Sequence, residues 1–417
     1  MTQAFRWRDG LAYGLLGLPL AFVALPLYVI LPNHYAREFG VPLATLGAVL
    51  LGARLFDAFI DPLIGRASDR LFARSPRAVL GFGAGAAVLL AAGFALLFFP
   101  PTRAPDALVL WATLVLVLTY AAYSALSVAH QSWGAMLGGD EAQRSRIVSW
   151  REGLGLVGVL LASVLPLAIG LPWTVAVFSA LLALAWWAWT RARAPQPRTD
   201  RHPASLWLPF SRPAFRRLLA VFVLNGIASA VPATLVLFFV QDRLQAPRNI
   251  EPAFLGSYFL CAALSIPLWL KVVGRFGLAR SWLAGMALAI AVFVWATQLG
   301  AGDVLPFIVV CALSGVALGT DLALPGAMLA GVIADAGDRG QAEGAYFGWW
   351  NFATKLNLAL AAGLALPLLG LFGYTPGARG EEALTALVVA YCLLPCVLKL
   401  LAALALYLTI IRHKASA

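Results

Sequence analysis

Apolar runs of about twenty residues, separated by short polar or Gly- and Pro-rich interruptions, repeat along the whole chain. They lie near 11–31, 42–64, 78–99, 107–129, 147–170, 172–190, 217–239, 252–273, 280–299, 304–330, 344–370 and 384–410. Each matches the ~20 residues a helix needs to cross a hydrocarbon layer about 30 Å thick. In lipid every backbone polar group has to be satisfied within the segment, so runs of this length read as helices. The pattern predicts an all-α polytopic membrane protein with twelve transmembrane helices. The longest polar interruption, Arg191 to Arg217, is rich in Arg and Pro and follows the sixth run. It divides the chain into an N-terminal six-helix bundle over 1–190, a cytoplasmic central loop over 191–216 and a C-terminal six-helix bundle over 217–417.

Composition agrees. The chain is 61% hydrophobic and 12% charged over 417 residues, a balance no water-facing surface could absorb. The first run is long enough to span and lacks a small-residue cleavage site, so it reads as helix 1 and not as a removable signal. The formal charge of +11 would suggest nucleic acid in a soluble protein, but its distribution has a simpler origin. With the N-terminus inside, the cytoplasmic segments hold Arg66, Arg70, Arg74, Arg77, Arg144, Arg146 and the cluster from Arg191 to Arg217, while the opposite loops hold only Arg37, Arg103, Arg243, Arg248 and Arg379. Lys and Arg accumulate in short cytoplasmic loops, which places both termini in the cytoplasm, the protein in the inner (plasma) membrane, and needs no nucleic-acid partner.

Charges inside the apolar runs are the candidate chemistry. Arg54, Asp57 and Asp61 occupy the second run at i, i+3 and i+7 and so share one helical face. A charge at bilayer depth costs between ~2.5 and ~17 kcal/mol, so such residues are paired or functional. Asp321 lies mid-way along the tenth run beside Pro325, and Lys399 mid-way along the twelfth. Lys399 is either the partner of Asp321 or a separate cavity charge. Asp57 with Arg54 as a structural ion pair is the bland alternative for the stripe. Tyr28, Tyr120, Tyr123, Trp349 and Trp350 are aromatic candidates for lining a solute path. His34 and His130 sit near span ends, where a solvated or hydrogen-bonded histidine is the default. The four cysteines, Cys261, Cys311, Cys392 and Cys396, fall within apolar runs with no His at metal spacing, so neither a metal site, a disulfide framework nor a cofactor is expected. No Walker motif and no nucleophile–base pair is visible, which argues against ATP-driven transport and against an enzyme.

Motifs narrow the reading. Gly65-Arg66-Ala67-Ser68-Asp69-Arg70 follows the second run, and Gly274-Arg275-Phe276-Gly277 the eighth. Related loops at equivalent places in two halves mark a duplicated transporter, and the pattern resembles the major facilitator superfamily (MFS). Asp69 and Arg70 are the candidate gating residues. The run Ala53-Arg54-Leu55-Phe56-Asp57-Ala58-Phe59-Ile60-Asp61-Pro62-Leu63-Ile64-Gly65 resembles the helix 2 motif of the glycoside-pentoside-hexuronide:cation symporters. Ser127 to Ala135 at the end of helix 4, and Glu343-Gly344-Ala345-Tyr346 through Lys355 in helix 11, agree with it.

The resemblance implies roles by position. Asp57 and Asp61 fall on two helix 2 carboxylates that bind the coupling cation, and Lys355 on a helix 11 lysine near them; Ser127 joins this candidate cation set. Arg54 and Arg151 match arginines near the cation site and sugar path. With Tyr120, Ser124, Asp321 and Trp350 they form the candidate substrate set. Ala21 and Ser127 stand where the family's best known member has sugar-binding aspartates, and Ile60 replaces a helix 2 asparagine. Fewer oxygen ligands disfavour sodium, a hard cation, and favour a proton. The resulting expectation is a monomeric, cation-coupled secondary transporter of a small polar solute such as a sugar or glycoside, in contact with membrane lipids and needing no cofactor. A lysophospholipid or other amphiphile carrier is the alternative, and an intramembrane enzyme ranks below both.

Overall fold

The structure is a computed structural model that describes residues 5–195, 205–371, 373–374 and 377–412. Twelve long helices and no strand occur among the described residues. Helix α1 runs from Trp7 to Leu25 and on through a wide turn at Pro26–Ile30 into Leu31–Phe39. It is followed by α2 (Leu43–Arg74), α3 (Pro76–Phe98), α4 (Pro105–Leu137), α5 (Glu141–Pro166) and α6 (Ala168–Arg191). After the central loop come α7 (Pro213–Arg243), α8 (Glu251–Phe276), α9 (Leu278–Ala296), α10 (Val304–Asp335), α11 (Glu343–Leu371) and α12 (Glu381–Ile411). Ten of the twelve are long and apolar enough by composition to cross a membrane among the described residues. The other two, α2 and α11, are those that carry the predicted coupling charges.

Local chemistry sets the helix ends. Ser75 accepts from the Ala78 N–H at 3.1 Å and Asp140 from Gln143 at 2.8 Å, N-caps that satisfy otherwise orphaned donors. Gly170, between Pro166 and Pro172, has φ 80° and kinks the first turn of α6 just past the junction with α5; a left-handed residue there costs a glycine little. Two boundaries differ from the sequence reading. The motifs beginning at Gly65 and Gly274 are not loops: α2 continues through Arg74 and α8 through Phe276. Nothing in 65–74 breaks a helix once the chain leaves the apolar layer, so the connection to α3 is Ser75 alone.

Two compact units result, Met1–Ser211 with Ala330–Phe352, and Arg212–Leu329 with Ala353–Ala417. Lipid offers apolar helices no hydrophobic drive to associate, so close packing through small residues carries the contacts. In the first unit a Cβ on Gly14 would lie 2.7 Å from the Trp150 backbone, and one on Gly158 2.1 Å from the Leu18 carbonyl, so α1 and α5 touch backbone to backbone. Rings of Phe22, Phe94 and Phe178 fill the interior behind them. In the second unit Gly315 of α10 abuts the Tyr258 carbonyl of α8, and Phe239 stacks on Tyr391 with centroids 4.3 Å apart.

Candidate functional site

Helix α2 is amphipathic in the sense a bilayer requires. Leu51, Leu55, Phe59 and Leu63, spaced by four, are exposed, while Asp57 is 2% and Asp61 0% exposed on the other face. The apolar stripe faces outward and the carboxylates inward, so helix period and lipid together decide where the charges point. Ser124 of α4 donates its hydroxyl to Asp57 Oδ1 at 2.7 Å, which joins one cation candidate to one substrate candidate. Ser127, one turn further along α4, accepts from Gln131 Nε2 at 2.9 Å. Tyr120 is buried and Arg54 half-buried in the same unit. A buried carboxylate has to be paired, protonated or bound to a cation, and two of them one turn apart form an element that a single added positive charge would rearrange.

Arg151 on α5 has an ion-pair partner that the sequence reading missed. Glu152 accepts from Arg151 Nη2 at 2.5 Å and from Nε at 2.9 Å. Its signal was available, a second charge in an apolar run, but it was overshadowed by its neighbour. Nearby, the Tyr13 and His130 rings stack at 4.3 Å. The Tyr13 hydroxyl donates to the His130 carbonyl at 3.1 Å, and His130 Nε2 meets the Tyr13 carbonyl at 2.7 Å. The carbonyl can only accept, so Nε2 carries the proton, and His130 is a hydrogen-bonded packing histidine.

At the start of α11, Asp69 of α2 caps the helix. Gly344 N–H donates to Oδ1 at 2.6 Å and Ala345 N–H to Oδ2 at 2.9 Å, an anion on the positive end of a helix dipole. The helices meet this closely because glycines face each other: a Cβ on Gly65 would lie 2.0 Å from the Gly344 carbonyl, and one on Gly348 2.7 Å from that of Asp61. Glu343 is fully buried beside them, its Oε1 accepting from Gly340 N–H at 2.7 Å. Burial pushes the Glu343 carboxyl up to about 7. Asp69 is raised as well, by burial and by the neighbouring Glu343 charge against the pull of its two amide bonds. Arg70, its predicted companion, is exposed on the adjoining face. Trp350 is buried two turns into α11, and Trp349 Nε1 donates to the Leu206 carbonyl at 3.0 Å. The Tyr28 side chain lies outside the described residues.

The second unit holds the other intramembrane charges. Lys399 of α12 contacts Asp321 Oδ2 at 3.0 Å, so of the two readings open from sequence the ion pair is the one found. Asn225 and Ser229 of α7 and Trp282 of α9 also donate to the Asp321 carboxylate, at 3.0, 3.1 and 2.8 Å. The polar pair Asn225 and Ser229, spaced by four in an apolar run, was legible as a signal; Trp282 was not. Lys355 is half-buried and belongs to this second unit.

A family model described as "MFS/sugar transport protein" matches residues 10–413. The chain belongs to this family. It is a multi-pass membrane transporter, and not an enzyme. Among similar proteins, a putative sulfoquinovose importer of Salmonella typhimurium is 25% identical over 97% of this chain and 89% of its own length. The isoprimeverose transporter of Lactiplantibacillus pentosus is 23% identical over 94% and 86%, and the inner membrane symporter YicJ of Escherichia coli 27% identical over 61% and 60%. The fold is that of solved MFS transporters. A bacterial homologue of the iron transporter ferroportin, crystallised in an outward-facing state, superposes with TM-score 0.72 at 15% identity, covering 96% of this chain and 98% of that one. The E. coli fucose:proton symporter FucP superposes with TM-score 0.67 at 16% identity, covering 93% and 98%.

Proposed function

We propose that this protein is a cation-coupled symporter of a sugar or glycoside, working by alternating access in the inner membrane with both termini cytoplasmic, and that a proton is the coupling ion. The observation that carries the proposal is the buried pair Asp57 and Asp61 on one face of α2, with the Ser124 hydroxyl on Asp57. Protonation of one carboxylate would remove a buried charge and free Ser124 to rearrange, a local change able to bias a two-state transporter. The resemblance adds Lys355 as a third charged member of the coupling set. Relatives named for sulfoquinovose and isoprimeverose transport support a sugar or glycoside as the solute and do not favour the amphiphile alternative. A six-plus-six division into 1–190 and 217–417 and a monomeric state complete the reading.

Uptake by proteoliposomes across a panel of sugars and glycosides, under an inward proton gradient or an inward sodium gradient, tests this. Accumulation should follow the proton gradient. Asp57→Asn and Asp61→Asn should abolish accumulation while leaving solute exchange at equal concentrations. Equal uptake on sodium without a pH gradient would overturn the proton assignment, and normal accumulation in both variants the coupling role.

A further inference from the structure

Arg151 and Glu152 sit near the middle of α5, about 15 Å along the helix from Glu141. Their side chains keep 14% and 25% of their surface accessible, which for charges at this depth means water and not hydrocarbon. The lipid side of α5 is marked by Val157 and Val164, both exposed, and Glu152 lies about 140° round the helix from Val157. Another side is sealed by α1, where a Cβ on Gly17 would lie 2.3 Å from the Arg151 carbonyl and one on Gly158 2.1 Å from that of Leu18. Glu152 therefore faces neither lipid nor α1, and borders an aqueous path.

Both hydrogen bonds from Arg151 end on Glu152 Oε1. Oε2 accepts from no group among the described residues and is not closed off from the surface. It is an open acceptor beside a guanidinium that has spent only two of its five N–H donors on Glu152. A neutral sugar hydroxyl, which both donates and accepts, fits this edge. An anion does not, because it would meet Oε2 and compete for a guanidinium already compensated. The wider charge balance agrees. Within the apolar runs of the first unit, Asp57, Asp61 and Glu152 oppose Arg54 and Arg151, an excess of one carboxylate. One bound proton and a neutral solute leave that interior neutral, whereas a proton and an anion leave a net negative charge at bilayer depth, which is costly.

We infer that Glu152 is a specificity-determining residue that restricts the solute to neutral sugars and glycosides and rejects uronates and sulfonated sugars. The inference rests on the transport reading and narrows its solute class.

Initial uptake by proteoliposomes, under an inward proton gradient with the membrane potential clamped at zero, tests it with solutes matched except at C6. The series are D-glucose against D-glucuronate and 6-deoxy-6-sulfo-D-glucose, D-galactose against D-galacturonate, and methyl β-D-glucoside against methyl β-D-glucuronide. In every series that is transported, the neutral member should enter faster by about tenfold or more, the scale of one uncompensated like charge. Glu152→Gln should shrink that ratio about tenfold, and Arg151→Gln, which removes the compensating cation, should widen it. A purely structural role for Glu152 would instead lower the uptake of both members alike. An anionic member entering the wild type as fast as its neutral match would overturn the inference and leave the transport reading in place. So would a ratio unchanged in whichever of the two variants folds. No uptake of any member would overturn both.

Discussion

Glu343 offers a direct measure of how the contact between α2 and α11 responds to pH. Its carboxyl is fully buried at the helix start, next to Asp69, and burial raises it from an ordinary 4.5 to about 7. A carboxyl raised on folding contributes its stability below about pH 4.5, where both folded and unfolded forms hold the proton. That contribution is lost as pH rises through about 7, where the folded protein must also ionise. The full displacement corresponds to about 3 kcal/mol. Asp69 is raised too, so its sign is the same. Glu343→Gln keeps an oxygen for the Gly340 N–H and removes the ionisation. The variant should lie within about 1 kcal/mol of the wild type at pH 5 and be more stable at pH 8, by up to about 3 kcal/mol. Thermal unfolding in nanodiscs between pH 5 and 9, followed by tryptophan fluorescence, reads the gap. A gap that stays constant with pH, or that widens toward acid, would refute the reasoning.

Other substitutions separate packing from charge. Gly65→Ala should collapse folded yield, because its Cβ would lie 2.0 Å from the Gly344 carbonyl, whereas Gly52→Ala on the same helix meets open space and should be neutral or stabilising by about 0.5–1 kcal/mol; solubilised yield and melting temperature report both. Lys399→Met should destabilise by about 3–5 kcal/mol by leaving Asp321 uncompensated. Adding Asp321→Asn should recover part of that loss, and a double variant as unstable as the sum of the singles in thermal unfolding would argue against the pair. Asp69→Asn leaves one amide oxygen for the two N–H groups of Gly344 and Ala345 and should cost about 1.5–3 kcal/mol, measured in the same way.

The helices and the buried stripe were legible because both follow from one-dimensional rules. Twenty apolar residues need no partner to specify a span, and i, i+3, i+7 spacing puts Arg54, Asp57 and Asp61 on one face whatever surrounds the helix. Where α2 ends was not legible, since hydropathy marks the edge of the apolar layer and a helix does not stop there. Glu152 was not legible as a partner of Arg151 because adjacent residues on a helix do not face each other, and Trp282 because nothing distinguishes a tryptophan that donates to a carboxylate from one that only packs.

By itself, then, the sequence determined the class, the number of helices and the inward direction of the helix 2 carboxylates, all consequences of length and period in a lipid setting. Partnership was decided only by the tertiary structure. Ser124 lies 67 positions from Asp57, Lys399 lies 78 from Asp321, and Gly344 lies 275 from Asp69. Such distances along the chain carry no periodic signal, and only the packing of helices through glycine contacts brings those atoms within a hydrogen bond.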